Sequence, residues 1–145
     1  MIGLCFKYDG GYQSLMREQY YELIKAFPAV TNIYERLVDK AEPNDYNHQV
    51  LTKINNADDL PTEPTLVVLS SIHGEYIKGD ISLTDYIHPA NVIYYFGDDH
   101  NHLTQAIIGI RTNYDKVYIP NVAKSLFSNQ AMAIVLQDRQ RKLDG

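Results

Sequence analysis

Residues 91–103, NVIYYFGDDHNHL, decide the fold, because an unbroken apolar run ends there at a glycine and a polar loop follows. A short run that is apolar throughout and closed by a turn residue is typical of a strand buried on both faces. We therefore predict a buried strand from Asn91 to Phe96. Gly97 allows the backbone to turn sharply after this strand and allows a ligand to approach the main chain.

Similar patterns along the chain predict further strands and helices. The first helix carries an apolar stripe at helical spacing from Met16 through Tyr20 to Phe27, and Pro28 ends it. We predict strands at Met1–Tyr8, Val30–Val38, Thr65–Leu69 and Val117–Ile119. We predict helices at Gln13–Phe27 and Ser125–Leu143, with Ser125 as the N-cap of the second, and a short helix at His48–Ile54. The stretch Ile72–Tyr86 is not assigned to a helix or a strand.

Apolar strands that alternate with helices predict an α/β fold, with a parallel sheet covered by helices on both faces. The 145 residues suit a single domain spanning 1–145, and the sequence shows no internal boundary. Ligands of such sheets bind beyond the carboxyl ends of the strands. In this chain those ends are Ser70–Ser71, Gly97–Asp99 and Pro120–Asn121.

Composition narrows the class of protein. No apolar run is long enough to span a membrane, and the single cysteine, Cys5, excludes a disulfide framework or a cysteine zinc site. We expect a soluble, cytoplasmic protein. The net charge of −5 argues against a broad RNA-binding surface but leaves room for a local patch. One basic cluster, Arg139, Arg141 and Lys142, is interpreted as a solvated helix end.

Three segments, taken in order, resemble the SpoU class of the SPOUT RNA methyltransferases. FGDDHNHL at 96–103 follows a strand, YIP at 118–120 ends the next strand, and SLFSNQAMAIVLQD at 125–138 opens the last helix. The SpoU class has FGxExxGL, then IP, then a helix beginning SLN or SMN. The resemblance is best over residues 91–143 and weaker toward the N-terminus, where the order strand, helix, strand also fits.

This resemblance implies a C-terminal trefoil knot whose loops hold S-adenosylmethionine. The activity implied is RNA methylation, at a ribose 2′-hydroxyl of tRNA or rRNA. SPOUT enzymes work as dimers, so a homodimer packed through the first and last helices is expected. The residues that the resemblance assigns to cofactor binding are Leu69, Ser70, Gly97, Ile119 and Ser125.

The same resemblance assigns the catalytic residues. SpoU enzymes carry an arginine on the first helix in a pattern like NxGxxxR, and Arg17 stands at the matching point of GYQSLMR, residues 11–17. Asp99 replaces the glutamate of FGxExxGL, which keeps the charge and shortens the reach. Phe127 replaces the asparagine of SLN, and its side chain cannot hydrogen bond. These departures leave open a second hypothesis, a SPOUT-like binding protein that has lost methyl transfer.

The polar loop Asp98–His102 allows a third interpretation, an unrelated α/β enzyme with a metal ion. Carboxylates and imidazoles are ligands for zinc, iron and manganese. However, four candidate ligands within five consecutive residues do not converge readily on one ion, and no HExxH spacing accompanies them. A polar active-site rim or a surface loop is therefore favoured, and no metal site is predicted. His48 and His88 belong to no motif.

Overall fold

The computed structural model describes residues 1–6, 13–36, 49–54, 57–70, 80–96, 114–122 and 126–144. Within these ranges the chain forms seven strands and two α-helices, with single 3₁₀ turns at Ala57–Asp59 and Leu83–Asp85. The elements are β1 Ile2–Phe6, α1 Gln13–Lys25, β2 Asn32–Arg36, β3 Val50–Ile54, β4 Thr65–Ser70, β5 Ile81–Ser82, β6 Val92–Tyr95, β7 Tyr114–Tyr118 and α2 Ser128–Asp144.

All seven strands belong to one sheet, in the order β3-β2-β1-β6-β4-β7-β5, and every neighbouring pair is parallel. This confirms the predicted α/β fold with a parallel sheet. From β1 the chain builds outward to β2 and β3, and the later strands lie on the other side of β1. The strand order therefore reverses next to β1, which is where ligands bind in open parallel sheets.

The two described helices pack on the same face of the sheet. Tyr20 and Ile24 of α1 and Met132, Val135 and Leu136 of α2 join one buried cluster with alternate residues of the central strands. The remaining strand residues form a second cluster on the opposite face, which includes Leu60 from the segment after the first 3₁₀ turn. Helical cover of that second face is not seen in the described part of the chain.

The segment His48–Ile54 was predicted as a short helix, and this prediction is wrong. Residues Val50–Ile54 form β3, which pairs with β2 from Asn32↔Val50 to Arg36↔Ile54. β3 is the outermost strand and is largely exposed until Ile54. Because an edge strand needs little apolar surface, its sequence carries no buried run, and its pairing with β2 determines its conformation.

Two element starts differ from the prediction by three residues. β7 begins at Tyr114 rather than Val117, and its polar residues Asp115 and Lys116 bond to Tyr86 and Asp80. The last helix begins at Ser128, three residues after the predicted N-cap Ser125, which lies outside the described residues.

The expected trefoil knot involves residues 97–113 and 123–125, which lie outside the described ranges, so the knot stays a prediction. Neither described helix has the length and apolar character that crossing a membrane requires.

Candidate active site at the carboxyl edge of the sheet

The strands that were predicted to end at the site are neighbours in space. β4 lies between β6 and β7, with Val68 opposite Tyr95 and Ser70 opposite Tyr118. Adjacent strands of a sheet lie about 4.8 Å apart. The ends of β6, β4 and β7 therefore form one continuous stretch of the carboxyl edge, about two strand spacings wide.

Leu69 and Ile119 give this stretch an apolar floor. Leu69 is 6% exposed near the end of β4, opposite Val117. Ile119 directly follows β7 and packs against the same buried cluster. Phe96, which is buried, donates its backbone N–H to the carbonyl of Cys5 at 3.0 Å, so the end of β6 is fixed to β1.

The chain turns sharply after β7. Asn121 has φ of 64°, and among the described residues it is the one non-glycine residue with positive φ. Pro120 is suited to the preceding turn position because its ring fixes φ near −65°. Asparagine adopts the left-handed region more readily than other non-glycine residues, so Pro120–Asn121 forms the turn without a glycine.

Helix α1 approaches the same edge. The ring of Tyr20 stacks on Phe6, the last residue of β1, with ring centroids 4.3 Å apart and an interplanar angle of 1°. Tyr20 is fully buried, and its hydroxyl is hydrogen bonded to Ser128 Oγ at the start of α2. Asn129 Nδ2 donates to Gln19 Oε1 at 2.7 Å. The first turn of α2 is thus attached to α1 beside the end of β1.

The start of α2 is capped by a side chain inside the helix. Phe127 precedes the first helical residue, and its backbone N–H donates to Gln130 Oε1 at 2.9 Å. This is one half of a capping box, in which a glutamine at the third helical position satisfies the N-cap amide. The Phe127 side chain is 53% exposed, so the position of the SpoU motif asparagine is occupied by a solvent-facing ring.

An open groove of about 540 Å³ adjoins this edge. Ile119 and Pro120 line one side, Leu83 and Thr84 line the end near β5, and residues of α2 from Ala133 to Arg141 line the other. Ile134, on the α2 side, is 39% exposed.

Similarity to known proteins is found at the level of structure. No protein-family model matches the sequence, and no curated protein is similar to it. Solved structures do match. A TrmH/SpoU tRNA modifying enzyme of A. aeolicus superposes with a TM-score of 0.69 at 15% identity, over 99% of this chain and 75% of that one.

The chain has the SpoU/TrmH fold. A probable methyltransferase of Bordetella pertussis Tohama I matches with a TM-score of 0.70 at 13% identity, over 98% of this chain and 95% of its own. The SpoU methyltransferase AviRb of Streptomyces viridochromogenes, solved in complex with AdoMet, matches with a TM-score of 0.65 at 11% identity, over 99% of this chain and 60% of its own. At these identities the likeness establishes the fold, and it confirms the predicted resemblance at that level.

In this SpoU/TrmH fold the predicted site residues fall into two groups. Leu69, Ser70 and Ile119 lie at the ends of neighbouring strands, as expected. Arg17 lies on α1, about one helical turn before Tyr20. It is therefore in the half of the helix that is nearer its amino end. Gly97, Asp99 and Ser125 lie outside the described residues, and so does the possible metal loop Asp98–His102. Among the described residues no group of three His, Cys, Asp or Glu side chains is placed to hold a metal ion.

A polar network that joins α2 to the segment before β6, toward the amino edge of the sheet, was not predicted. His88 precedes β6, and its Nε2 lies 2.8 Å from Asp138 Oδ2 of α2, while its Nδ1 lies 2.7 Å from the hydroxyl of Tyr94. Arg139 is only 7% exposed and donates to the carbonyl of Pro89 at 2.7 Å and to Tyr94 at 3.1 Å.

The interpretation of the basic cluster as a solvated helix end is therefore wrong for Arg139. Lys142 is also partly buried, since it donates to the carbonyl of Tyr86 at 2.9 Å and pairs with Asp138 at 2.8 Å. Arg141 is 68% exposed and fits the interpretation, although it too contacts Asp138. The groups that accept hydrogen bonds from Arg139, and the backbone carbonyls that accept from Lys142, lie 45 to 59 positions earlier in the chain, so no local pattern marks these contacts.

Burial and charge set the protonation states in this network. Burial raises the pKa of Tyr94 to about 12, although Arg139 opposes the shift. Burial, followed by the contact with Asp115, raises the pKa of Tyr86. Burial also raises the pKa of Asp138, but hydrogen bonds from His88, Lys142 and Arg141 outweigh it and leave that pKa below its ordinary value. At neutral pH both tyrosines keep their protons and Asp138 is a carboxylate.

Proposed function

We propose that this protein is an S-adenosylmethionine-dependent RNA methyltransferase of the SpoU kind, acting on a ribose 2′-hydroxyl of tRNA or rRNA in the cytoplasm. The observation that carries the proposal is that the ends of β6, β4 and β7 lie at the same edge of the sheet as Tyr20 of α1 and the first turn of α2. Solved proteins of this fold are named as RNA-modifying enzymes, and one of them holds AdoMet.

The residues at this edge fit the proposed cofactor. Leu69 and Ile119 offer apolar contact from neighbouring strands, as an adenine ring requires. The sharp turn at Pro120–Asn121 brings backbone groups next to them. Ser70, Gly97 and Ser125 complete the proposed set by resemblance. S-adenosylmethionine, when bound, supplies a methyl group on a positively charged sulfur for in-line transfer to oxygen.

Arg17 is the residue proposed to act on the substrate. The 2′-hydroxyl must release its proton to solvent as its oxygen accepts the methyl group, and negative charge develops on that oxygen. A guanidinium held next to that oxygen stabilises the charge, and positioned groups of this kind account for a large share of catalysis. Asp99 is proposed to hold the polar network of the cleft, and positioning of the two reactants supplies much of the remaining rate.

The proposed assembly is a homodimer packed through α1 and α2. The two helices lie side by side, and their junction forms an open groove lined by residues such as Glu18, Glu22 and Gln130. Ile134 adds an exposed apolar contact on α2. Light scattering coupled to size-exclusion chromatography gives the mass in solution. A mass of about 33 kDa supports the dimer, being twice the 16.6 kDa of one chain, and a monomer at all concentrations contradicts it.

The proposed activity is tested in two steps. Calorimetry first measures binding of S-adenosylmethionine and S-adenosylhomocysteine to the protein. Transfer of labelled methyl groups to bulk tRNA and rRNA is then compared for the parent, Arg17→Ala and Lys25→Ala. Lys25 is a matched control, since it is an exposed cation at the other end of α1 whose ion pair with Glu22 is of the weak surface kind.

We expect Arg17→Ala to lose methyl transfer by at least about a hundredfold, the loss typical of removing one group that stabilises developing charge. Lys25→Ala should transfer as the parent does, and both variants should still bind the cofactor. Equal transfer by Arg17→Ala and the parent would refute the role of Arg17. Absence of cofactor binding would refute the methyltransferase proposal.

A second candidate is a SPOUT-like binding protein that has lost transfer. The exposed ring of Phe127, in the place of the motif asparagine, favours it. Cofactor binding without methyl transfer to any RNA fraction, unchanged by Phe127→Asn, would support this candidate. A gain of transfer in Phe127→Asn would instead show that one side chain separates the two functions.

A further inference from the structure

The polar network at the amino edge of the sheet has a fixed direction of hydrogen bonding. Arg139 can only donate, so the Tyr94 oxygen accepts from it. The hydroxyl hydrogen of Tyr94 then points to His88 Nδ1 at 2.7 Å. His88 Nε2 carries the proton that is donated to the Asp138 carboxylate at 2.8 Å. The chain from Arg139 through Tyr94 and His88 to Asp138 is complete only when His88 is neutral.

A second proton on His88 would break this chain. It would sit on Nδ1 and face the Tyr94 hydroxyl, whose own hydrogen would lose its acceptor. Tyr94 is fully buried and the His88 side chain is 0% exposed, so water does not replace the lost partner. A buried donor left without an acceptor is unfavourable because water cannot satisfy it, and the new charge is buried as well.

The charges around His88 also oppose a second proton. Its neighbours are Tyr86, whose ring meets it edge-on at 5.2 Å, and Tyr94, both neutral. Among the residues that the structure describes, the charged groups facing it come from α2, and they are one anion, Asp138, and two cations, Arg139 and Lys142. Beyond this first layer, Arg141 contacts Asp138, and Asp115 of β7 accepts a hydrogen bond from Tyr86.

We propose that His88 and its partners form a pH-sensitive latch that fastens the C-terminal half of α2 to the amino edge of the sheet and opens when His88 is protonated. Asp138, Arg139 and Lys142, from three neighbouring positions of the helix, all contact the chain segment that leads into β6. Opening the latch therefore frees the last turns of α2 together. This inference does not depend on the proposed methyl transfer.

The pKa of His88 also indicates that the latch opens on acidification. Burial lowers it from the ordinary 6.5, and Lys142 and Arg139 add to that effect, while the bond to Asp138 opposes it without reversing it. A histidine whose pKa is lower in the closed state binds a proton more readily once released. The latch is at full strength above pH 6.5 and weakens as the pH falls below that value toward the pKa of the closed state.

The test is amide hydrogen exchange of α2 as a function of pH, in the parent and in His88→Gln. Rates are measured from pH 7.5 to pH 5.0 and corrected for the intrinsic exchange rate, with β4 amides as the internal reference. One linked proton raises the opening constant of residues 138–142 by up to about tenfold per pH unit below pH 6.5. In His88→Gln that dependence should disappear. The chain's four other histidines, being present in both proteins, cancel in the comparison.

Identical pH dependence in the two proteins, or a flat profile in the parent, would overturn the proposal. Should His88→Gln fail to fold, the parent alone decides the matter by NMR titration of its imidazole groups. The proposal requires His88 to remain neutral below pH 6.5 and to become protonated together with loss of protection in α2. Protonation of His88 near pH 6.5 with α2 still fully protected would overturn it.

Discussion

Leu136→Ala should lower the stability of the protein strongly, because Leu136 joins α2 to the sheet. Its side chain is 3% exposed and lies in the same buried cluster as the central strands. Truncating a buried leucine to alanine costs about 2–5 kcal/mol, through lost transfer free energy and through the cavity that remains. Leu136 also borders a cavity of about 180 Å³ beside Phe27 and Val30, so its loss enlarges a space that already exists. We expect a loss of about 3 kcal/mol.

The matched control is Leu143→Ala, the same chemical change on the same helix. Leu143 is 59% exposed, and substitutions at such positions change stability by about 0.5 kcal/mol or less. Urea unfolding followed by circular dichroism gives both values, provided that the slope of the transition is unchanged. Equal losses below about 1 kcal/mol for the two variants would show that α2 does not pack on the sheet as described.

Substitutions at three further positions are expected to act locally, each measured by the same urea unfolding. Gly3→Ala places a Cβ 3.2 Å from Ile93 Cγ1, so it should cost about 1–3 kcal/mol by overpacking; no loss would contradict that contact. Asn121→Val should cost about 1–2 kcal/mol because φ is 64°, whereas Asn121→Gly should cost nothing, and equal losses would argue against the turn. Tyr20→Phe keeps the ring but removes the bond to Ser128, and should cost about 0.5–1.5 kcal/mol; an unchanged stability would show that this bond contributes nothing.

The central strands could be predicted from the sequence because they are buried on both faces. β1, β4 and β6 each have continuous apolar runs, and most of their residues are buried. The parallel order follows, since helices must cross between such strands. For the same reason the carboxyl ends of β4, β6 and β7 could be assigned to one edge of the sheet from the sequence alone.

Elements that are determined by distant partners could not be predicted. The sequence of β3, VLTKI, suits a strand or a helix equally, and only its pairing with β2 selects the strand. The start of α2 depends on the hydrogen bond that the Phe127 amide donates to Gln130. The sequence instead favoured Ser125 as the N-cap, because serine is a common residue at that position. Arg139 looks like a surface cation in sequence and is buried because Tyr94 and Pro89 lie beside it in the fold.

Helix α2 connects the two edges of the sheet, which bears on how the proposed latch affects the rest of the molecule. Its 17 residues extend about 25 Å, longer than any of the strands, whose two to six residues extend at most about 20 Å. One end is fixed at the carboxyl edge by the contact of Ser128 with Tyr20, and the other at the amino edge by Asp138 and His88.

Between these two ends the helix is held by apolar contacts at Met132, Val135 and Leu136. Opening the latch removes only the polar attachment at the amino edge, so the buried middle of the helix should hold its first turn in place. Exchange should therefore rise from residue 138 onward before it rises near Ser128. Loss of protection at both ends together on acidification would mean that α2 unfolds as one unit, and that the apolar middle is too weak to separate the candidate site from the latch.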